Sequence, residues 1–221
     1  MVATVVGARL GLEQTSGWVL GSRGQLGSSA LGRAGEGVTV NALTGNLVIT
    51  NQDEFLIGRG PDSLLSRTYN SQGALDGDNN DGWRLGVARR VFGLTGSQDT
   101  AGSTITRIDW DGSQVVYHWD ADHNAYVSTE GAGAYDKLKK IDASWVWQDG
   151  DSRTIEIYEA SGVTGEFRLA TLEDIDGRKL TFSYNGSGYI SRVTRLDGGY
   201  TDLSWSGSKL TQLTTTYWDT A

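Results

Sequence analysis

"DGRKLTFSYNGSGYISRV" (residues 176–193) and "DGGYTDLSWSGSKLTQL" (residues 197–213) read as one unit written twice. Asp176-Gly177 returns as Asp197-Gly198, Tyr184 as Trp205 and Gly186 as Gly207, each 21 residues on. Leu169 and Leu172 return at the same spacing as Ile190 and Val193. Within each unit Asp-Gly opens a turn, and the positions four, six and eight after the Asp share one side. Those positions are Leu180, Phe182 and Tyr184 in one copy and Thr201, Leu203 and Trp205 in the next. Alternation of apolar and polar residues with period two marks a strand with one buried face.

The template extends upstream. After Asp111 it selects Val115, Tyr117 and Trp119, and after Asp149 it selects Arg153, Ile155 and Ile157. No segment carries a helical period, so the expected fold is all-β. Stacked hairpins bury together what none can bury alone. The expected architecture is a series of antiparallel hairpins forming one large curved sheet, open or partly closed, with the open form favoured. The 21-residue repeat is uncapped at its downstream end, which predicts an open edge strand and a natural sequence that continues.

Composition agrees with short strands and tight turns: Gly 31, Trp 8 and Tyr 9 among 221 residues, with Pro 1. A net charge of −8 argues against nucleic acid or an anionic membrane surface as the main partner. Cys 0 excludes disulfides, thiolate metal sites and a Cys nucleophile. No segment reaches the length of a membrane span, so membrane insertion is not expected. The opening "MVATVVGARLGLEQTSG" lacks a basic and then apolar leader, so no signal peptide is expected.

Three regions follow. Residues 1–37 read as a flexible Gly/Ser/Ala-rich lead-in with one apolar patch near Trp18–Leu20. Residues 38–104 open the β structure, beginning with a hairpin around Thr44-Gly45-Asn46. Residues 105–221 carry the repeats, expected to continue the preceding sheet.

The unit of Asp-Gly, alternating strand, aromatic, Gly and apolar residue resembles the YD repeat of the RHS (rearrangement hotspot) family. Trp119-Asp120 and Tyr184-Asn185 stand at what looks like the Tyr-Asp position, whereas Ile157-Tyr158 and Trp205-Ser206 depart from it. "VNALTGNLVIT", "GRGPDSLLSRTYNSQ" and "DGWR" resemble the segment that opens the RHS core ahead of its repeats. The resemblance covers about residues 38–213. It implies a non-catalytic part of a spiralling β shell that encloses or presents a C-terminal toxin or effector. It also implies a secreted or cell-surface setting within a longer polypeptide, whose remainder and effector would be the partners. No catalytic residue and no cofactor is carried over.

Two site candidates come from the residues themselves. In "DGDNNDG", Asp76, Asp78 and Asn80 have the spacing of the first half of a calcium loop, although Asp81 and Val87 stand where an EF-hand needs Gly and Glu. The competing reading is a solvated acidic turn. Trp145 and Trp147 share a strand face and would serve as a stacking platform for a cell-surface glycan if exposed, or as core if buried. This is the alternative function: a secreted or cell-surface carbohydrate-binding module. His118 and His123, and the basic island Lys137, Lys139 and Lys140, read as surface groups.

Overall fold

The computed structural model describes residues 3–5, 10–12, 35–73, 82–128 and 135–217. All regular structure among them is β, in two sheets. The first sheet runs β1 (Ala3–Val5), β2 (Gly37–Asn41), β3 (Leu47–Leu56), β4 (Ser63–Asn70) and β5 (Trp83–Leu85) in that order. β1 lies parallel to β2, while the other pairings are antiparallel. The hairpin expected around Thr44-Gly45-Asn46 is the β2–β3 connection, closed by Asn41 and Asn46 and with Gly45 at φ 73°.

The second sheet begins at β6 (Arg90–Thr95), followed by β7 (Thr104–Ile108), β8 (Gln114–Asp120), β9 (Ala125–Val127), β10 (Lys137–Ile141), β11 (Ser144–Gln148), β12 (Ile155–Ala160) and β13 (Glu166–Glu173). Successive strands pair as a meander, and β13 then pairs back onto β6, so β6–β13 close into an eight-stranded barrel. The repeats form β14 (Lys179–Tyr184), β15 (Ile190–Thr194), β16 (Tyr200–Ser206) and β17 (Lys209–Thr216), which fan out from β13.

β13 therefore forks the sheet. One of its edges pairs with β12 along the strand. On the other, residues 166–168 pair with β6 and residues 171–173 with β14.

This corrects the expectation of a large curved sheet in open form. Closure removes two edges that would otherwise expose unpaired backbone groups, and large side chains fill the ring, as a barrel of this size requires. It also corrects the expected continuity of the sheet. The hydrogen-bonded ladder breaks between Leu85 and Arg90, so β6 and β7 belong with the repeats. Packing joins the sheets instead: Leu65, Leu85 and Val87 share one apolar core with Val91, Tyr117, Leu169 and Phe182. Within the expected flexible lead-in, β1 is paired, and residues 10–12 are held against the body. The Trp18–Leu20 patch lies outside the described residues.

The inward face follows the template in β8, β14 and β16, where Val115, Tyr117, Leu180, Phe182, Thr201 and Leu203 are buried. β12 breaks it. Its buried residues are Glu156 and Tyr158, while Ile155 and Ile157 are half-buried. The turns that precede β8, β14 and β16 close over five residues, Asp109–Ser113, Asp174–Arg178 and Arg195–Gly199, each with a left-handed glycine fourth. The turn ahead of β12 closes over six, Asp149 to Thr154, with Arg153 left-handed at φ 64°. One extra residue moves the alternate set of side chains to the other face.

Candidate functional site: the repeat ladder and its edge

The repeat written in the sequence is also a repeat of contacts. The Tyr184 hydroxyl donates to the carbonyl of Leu169 at 2.7 Å, and the Trp205 indole N–H donates to the carbonyl of Ile190 at 2.8 Å. Donors and acceptors are each 21 residues apart. Each aromatic follows a β-bulge, at Ser183/Tyr184 and at Ser204/Trp205, and a bulge re-aims the side chain beside it. The residue before each accepting carbonyl covers the ring. The Arg168 guanidinium lies 4.6 Å over Tyr184, and Tyr189 stacks on Trp205 at 4.7 Å with planes 19° apart. Tyr184 and Trp205 are thus each clasped to the strand before them.

β17 carries the next set of equivalents. Tyr184 pairs with Ile190 and Trp205 with Leu210; Phe182 pairs with Val193 and Leu203 with Leu213. Leu210 and Leu213 therefore take the places of Ile190 and Val193. Yet Ile190 and Val193 are 3% and 1% exposed, whereas Leu210 and Leu213 are only half-buried. The difference is a neighbour: β15 is flanked by β14 and β16, while β17 pairs with β16 alone among the described residues. The last hairpin is also braced from the other sheet. The Glu54 carboxylate, at the bulge of β3, accepts from the hydroxyls of Thr201 and Thr215, which are register partners on β16 and β17.

The flipped register of β12 builds a second cluster, which the sequence did not disclose. Glu156 is wholly buried and accepts from Arg107 at 2.7 and 3.0 Å, from Arg89, and from the Tyr158 hydroxyl. Arg107 also meets Asp109 at 2.6 Å and lies 3.8 Å over the Trp147 ring. Burial opposes its charge, but Asp109 and Glu156 outweigh burial and hold the guanidinium well above its usual pKa. Burial pushes the Tyr158 phenol well up, so it serves as a donor. The available signal was Ile105, Arg107 and Asp109 at alternate positions, facing Glu156 and Tyr158 on a strand of shifted parity.

A third cluster gathers two motifs of the opening segment and the first Asp-Gly of the repeats. Asn46 Nδ2 donates to Asn70 Oδ1 at 2.8 Å, and Asn70 Nδ2 donates to the Asp111 carbonyl at 3.0 Å. The backbone N–H of Gly11 donates to Asn70 Oδ1 at 2.9 Å, and that of Leu12 to the Asp111 carboxylate. Burial pushes the Asp111 carboxyl up. Side chains from both sheets therefore grip two consecutive amides of the N-terminal segment.

The remaining sequence candidates have the following places. Trp145 and Trp147 are 1% and 6% exposed, which corrects the reading of an exposed glycan platform. Trp145 packs edge-on to Tyr126 and Phe167, and Trp147 donates to the Tyr117 hydroxyl at 2.9 Å. Inside a closed ring neither offers a face to a sugar. Asp76, Asp78 and Asn80 lie outside the described residues. Among the described residues no three His, Asp or Glu side chains are grouped to hold a metal ion. His123 is exposed and meets Asp120 at 2.8 Å, and His118 is exposed on β8. Lys140 lies 4.6 Å over Phe167, while Lys137 and Lys139 are half-buried on β10. Trp110 lines a cleft of about 580 Å³ between the sheets, floored by Leu169, Phe182 and Val193.

Residues 37–117 match the model of a family described as "Domain of unknown function (DUF6531)". The match runs from β2 into β8 and includes Asn46, Asn70, Arg107 and Asp111. No curated protein matches the chain.

Proposed function

We propose that this chain is a non-catalytic structural segment of an RHS/YD-repeat wall that encloses or presents a C-terminal toxin or effector. The observation that carries this reading is the repeated clasp, Tyr184 to Leu169 and Trp205 to Ile190, in a ladder whose last strand, β17, has no partner on its outer edge among the described residues. A wall made this way grows by identical hairpin steps, because the second strand of each hairpin carries the acceptor for the next aromatic. In this reading the barrel is the rigid start of the wall and the first sheet braces the last hairpin through Glu54. The partners are the remainder of a longer polypeptide and its effector, in a secreted or cell-surface setting.

The test is the size of the native product in its source cells, detected with an antibody against β14–β17. The chain has a mass of 23.8 kDa. A band several times larger supports the wall. A band at the chain's own mass removes containment, because four fanned strands enclose no volume.

A further inference from the structure

The geometry points to β17 as a built acceptor for one kind of partner: an antiparallel strand bearing a Tyr or Trp whose O–H or N–H reaches the Leu210 carbonyl. The inference deepens the wall reading and rests on it for the biological source of that strand. Two features of β17 repeat those of occupied positions, and a third marks the position as uncovered. Leu210 stands where Ile190 stands, and the Ile190 carbonyl accepts from Trp205. Lys209 stands where Arg168 and Tyr189 stand, and those two side chains cover the ring of the neighbouring strand. A lysine there supplies a cation to a ring face, as Arg168 does to Tyr184. Leu210 and Leu213 keep the solvent exposure that Ile190 and Val193 lose when a neighbour covers them.

The edge is held in shape before any strand arrives. Glu54 fixes β16 and β17 through Thr201 and Thr215, so the register of the acceptor is set from the other sheet. An acceptor already ordered loses less conformational entropy on pairing. Strand addition to an exposed edge takes affinity from the main chain and specificity from side-chain sites. Here the specificity site is the Leu210 carbonyl with Lys209 beside it.

The experiment uses the full chain and a fluorescein-labelled peptide copying Gly199–Ser206, Gly-Tyr-Thr-Asp-Leu-Ser-Trp-Ser, whose own neighbour in the fold is β15. Binding is read by anisotropy, beside the same peptide with its tryptophan changed to leucine. The tryptophan peptide is expected to bind roughly tenfold more tightly, the order of one hydrogen bond and one ring-face contact together. In the exposed-site variant Lys209→Ala the advantage should shrink to roughly threefold, since the ring-face contact is lost and the hydrogen bond is kept. Equal affinity of the two peptides, or an advantage untouched by Lys209→Ala, overturns the aromatic acceptor. No binding of either peptide overturns the edge as an acceptor altogether. The two readings fail separately. A large native product with no peptide binding means a wall that continues elsewhere. Peptide binding with a native product of 23.8 kDa means an acceptor that serves a strand in trans.

Discussion

Glu156→Gln is the substitution that tests the barrel most sharply. The carboxylate is wholly buried and takes donors from Arg107, Arg89 and Tyr158. Removing its charge leaves two guanidinium groups with Asp109 as the nearest carboxylate, at 2.6 Å from Arg107 and 3.6 Å from Arg89. Breaking a buried ion pair by neutralising one partner costs about 3–5 kcal/mol. The lower end applies here, because Arg107 keeps Asp109 and the Trp147 face, and Arg89 is 22% exposed and can turn to water. The expected loss is about 3 kcal/mol, or about 6–12 °C in Tm for a domain of this size. Urea unfolding followed by tryptophan fluorescence measures it, since Trp147 sits against the cluster. The double variant Arg107→Met with Glu156→Leu should be more stable than Glu156→Leu alone, because it removes the stranded charge with its partner and leaves Arg89 with Asp109. A loss below about 1 kcal/mol for Glu156→Gln, or a double variant costing the sum of its singles, would refute a buried, mutually neutralising cluster.

Other predictions address the repeat, the N-terminal grip and pH. Tyr184→Phe and Trp205→Phe should each cost about 1 kcal/mol from the lost clasp, with Trp205→Phe slightly more for its smaller ring, and the two should add; chemical denaturation reads both, and one neutral substitution would break the equivalence of the units. Gly11→Ala should release the N-terminal segment, since Gly11 has φ 74° and an added Cβ would come within 2.6 Å of the Asp111 carboxylate. Hydrogen exchange at the Gly11 and Leu12 amides would rise, and unchanged protection would rule the grip out. Asp136 accepts from the Gly150 amide at 2.9 Å, and burial pushes its carboxyl from the ordinary 3.8 up to about 6. Between those values the folded chain holds a proton that the unfolded chain has lost, so this group's contribution to stability falls as pH rises from about 4 to about 6 and is level above. Asp136→Asn should therefore stabilise the chain at pH 7 on the order of 2 kcal/mol and have little effect at pH 4; equal Tm differences at both pH values would contradict the shift.

Local patterns were legible where the turn length was constant. Phe182 and Leu203 read correctly as inward because five-residue turns keep the parity of the strands they join. Glu156 and Tyr158 did not, because the turn at Asp149 gains one residue, and apolar Ile155 and Ile157 kept the misleading pattern plausible. Barrel closure was illegible for a different reason. It rests on pairs such as Phe167 with Val91, which lie far apart in the chain and leave no trace in local periodicity. The burial of Trp145 and Trp147 follows from that closure, since spacing placed them on one face but could not say which face was inside. An open edge was expected from the repeat, and among the described residues β17 has one, but its ordered geometry depends on Glu54, which no pattern linked to Thr201 or Thr215.

The fork at β13 gives the whole ladder a polarity. In the second sheet, every strand of the ring is flanked on both sides, so no strand can be stacked there without tearing the seam between β13 and β6. The fan leaves by the one opening that the seam spares, residues 171–173, and runs to β17. In the wall reading proposed above, the barrel is a nucleus with one growing end: it sets where the first rung lies and leaves elongation to the β17 side.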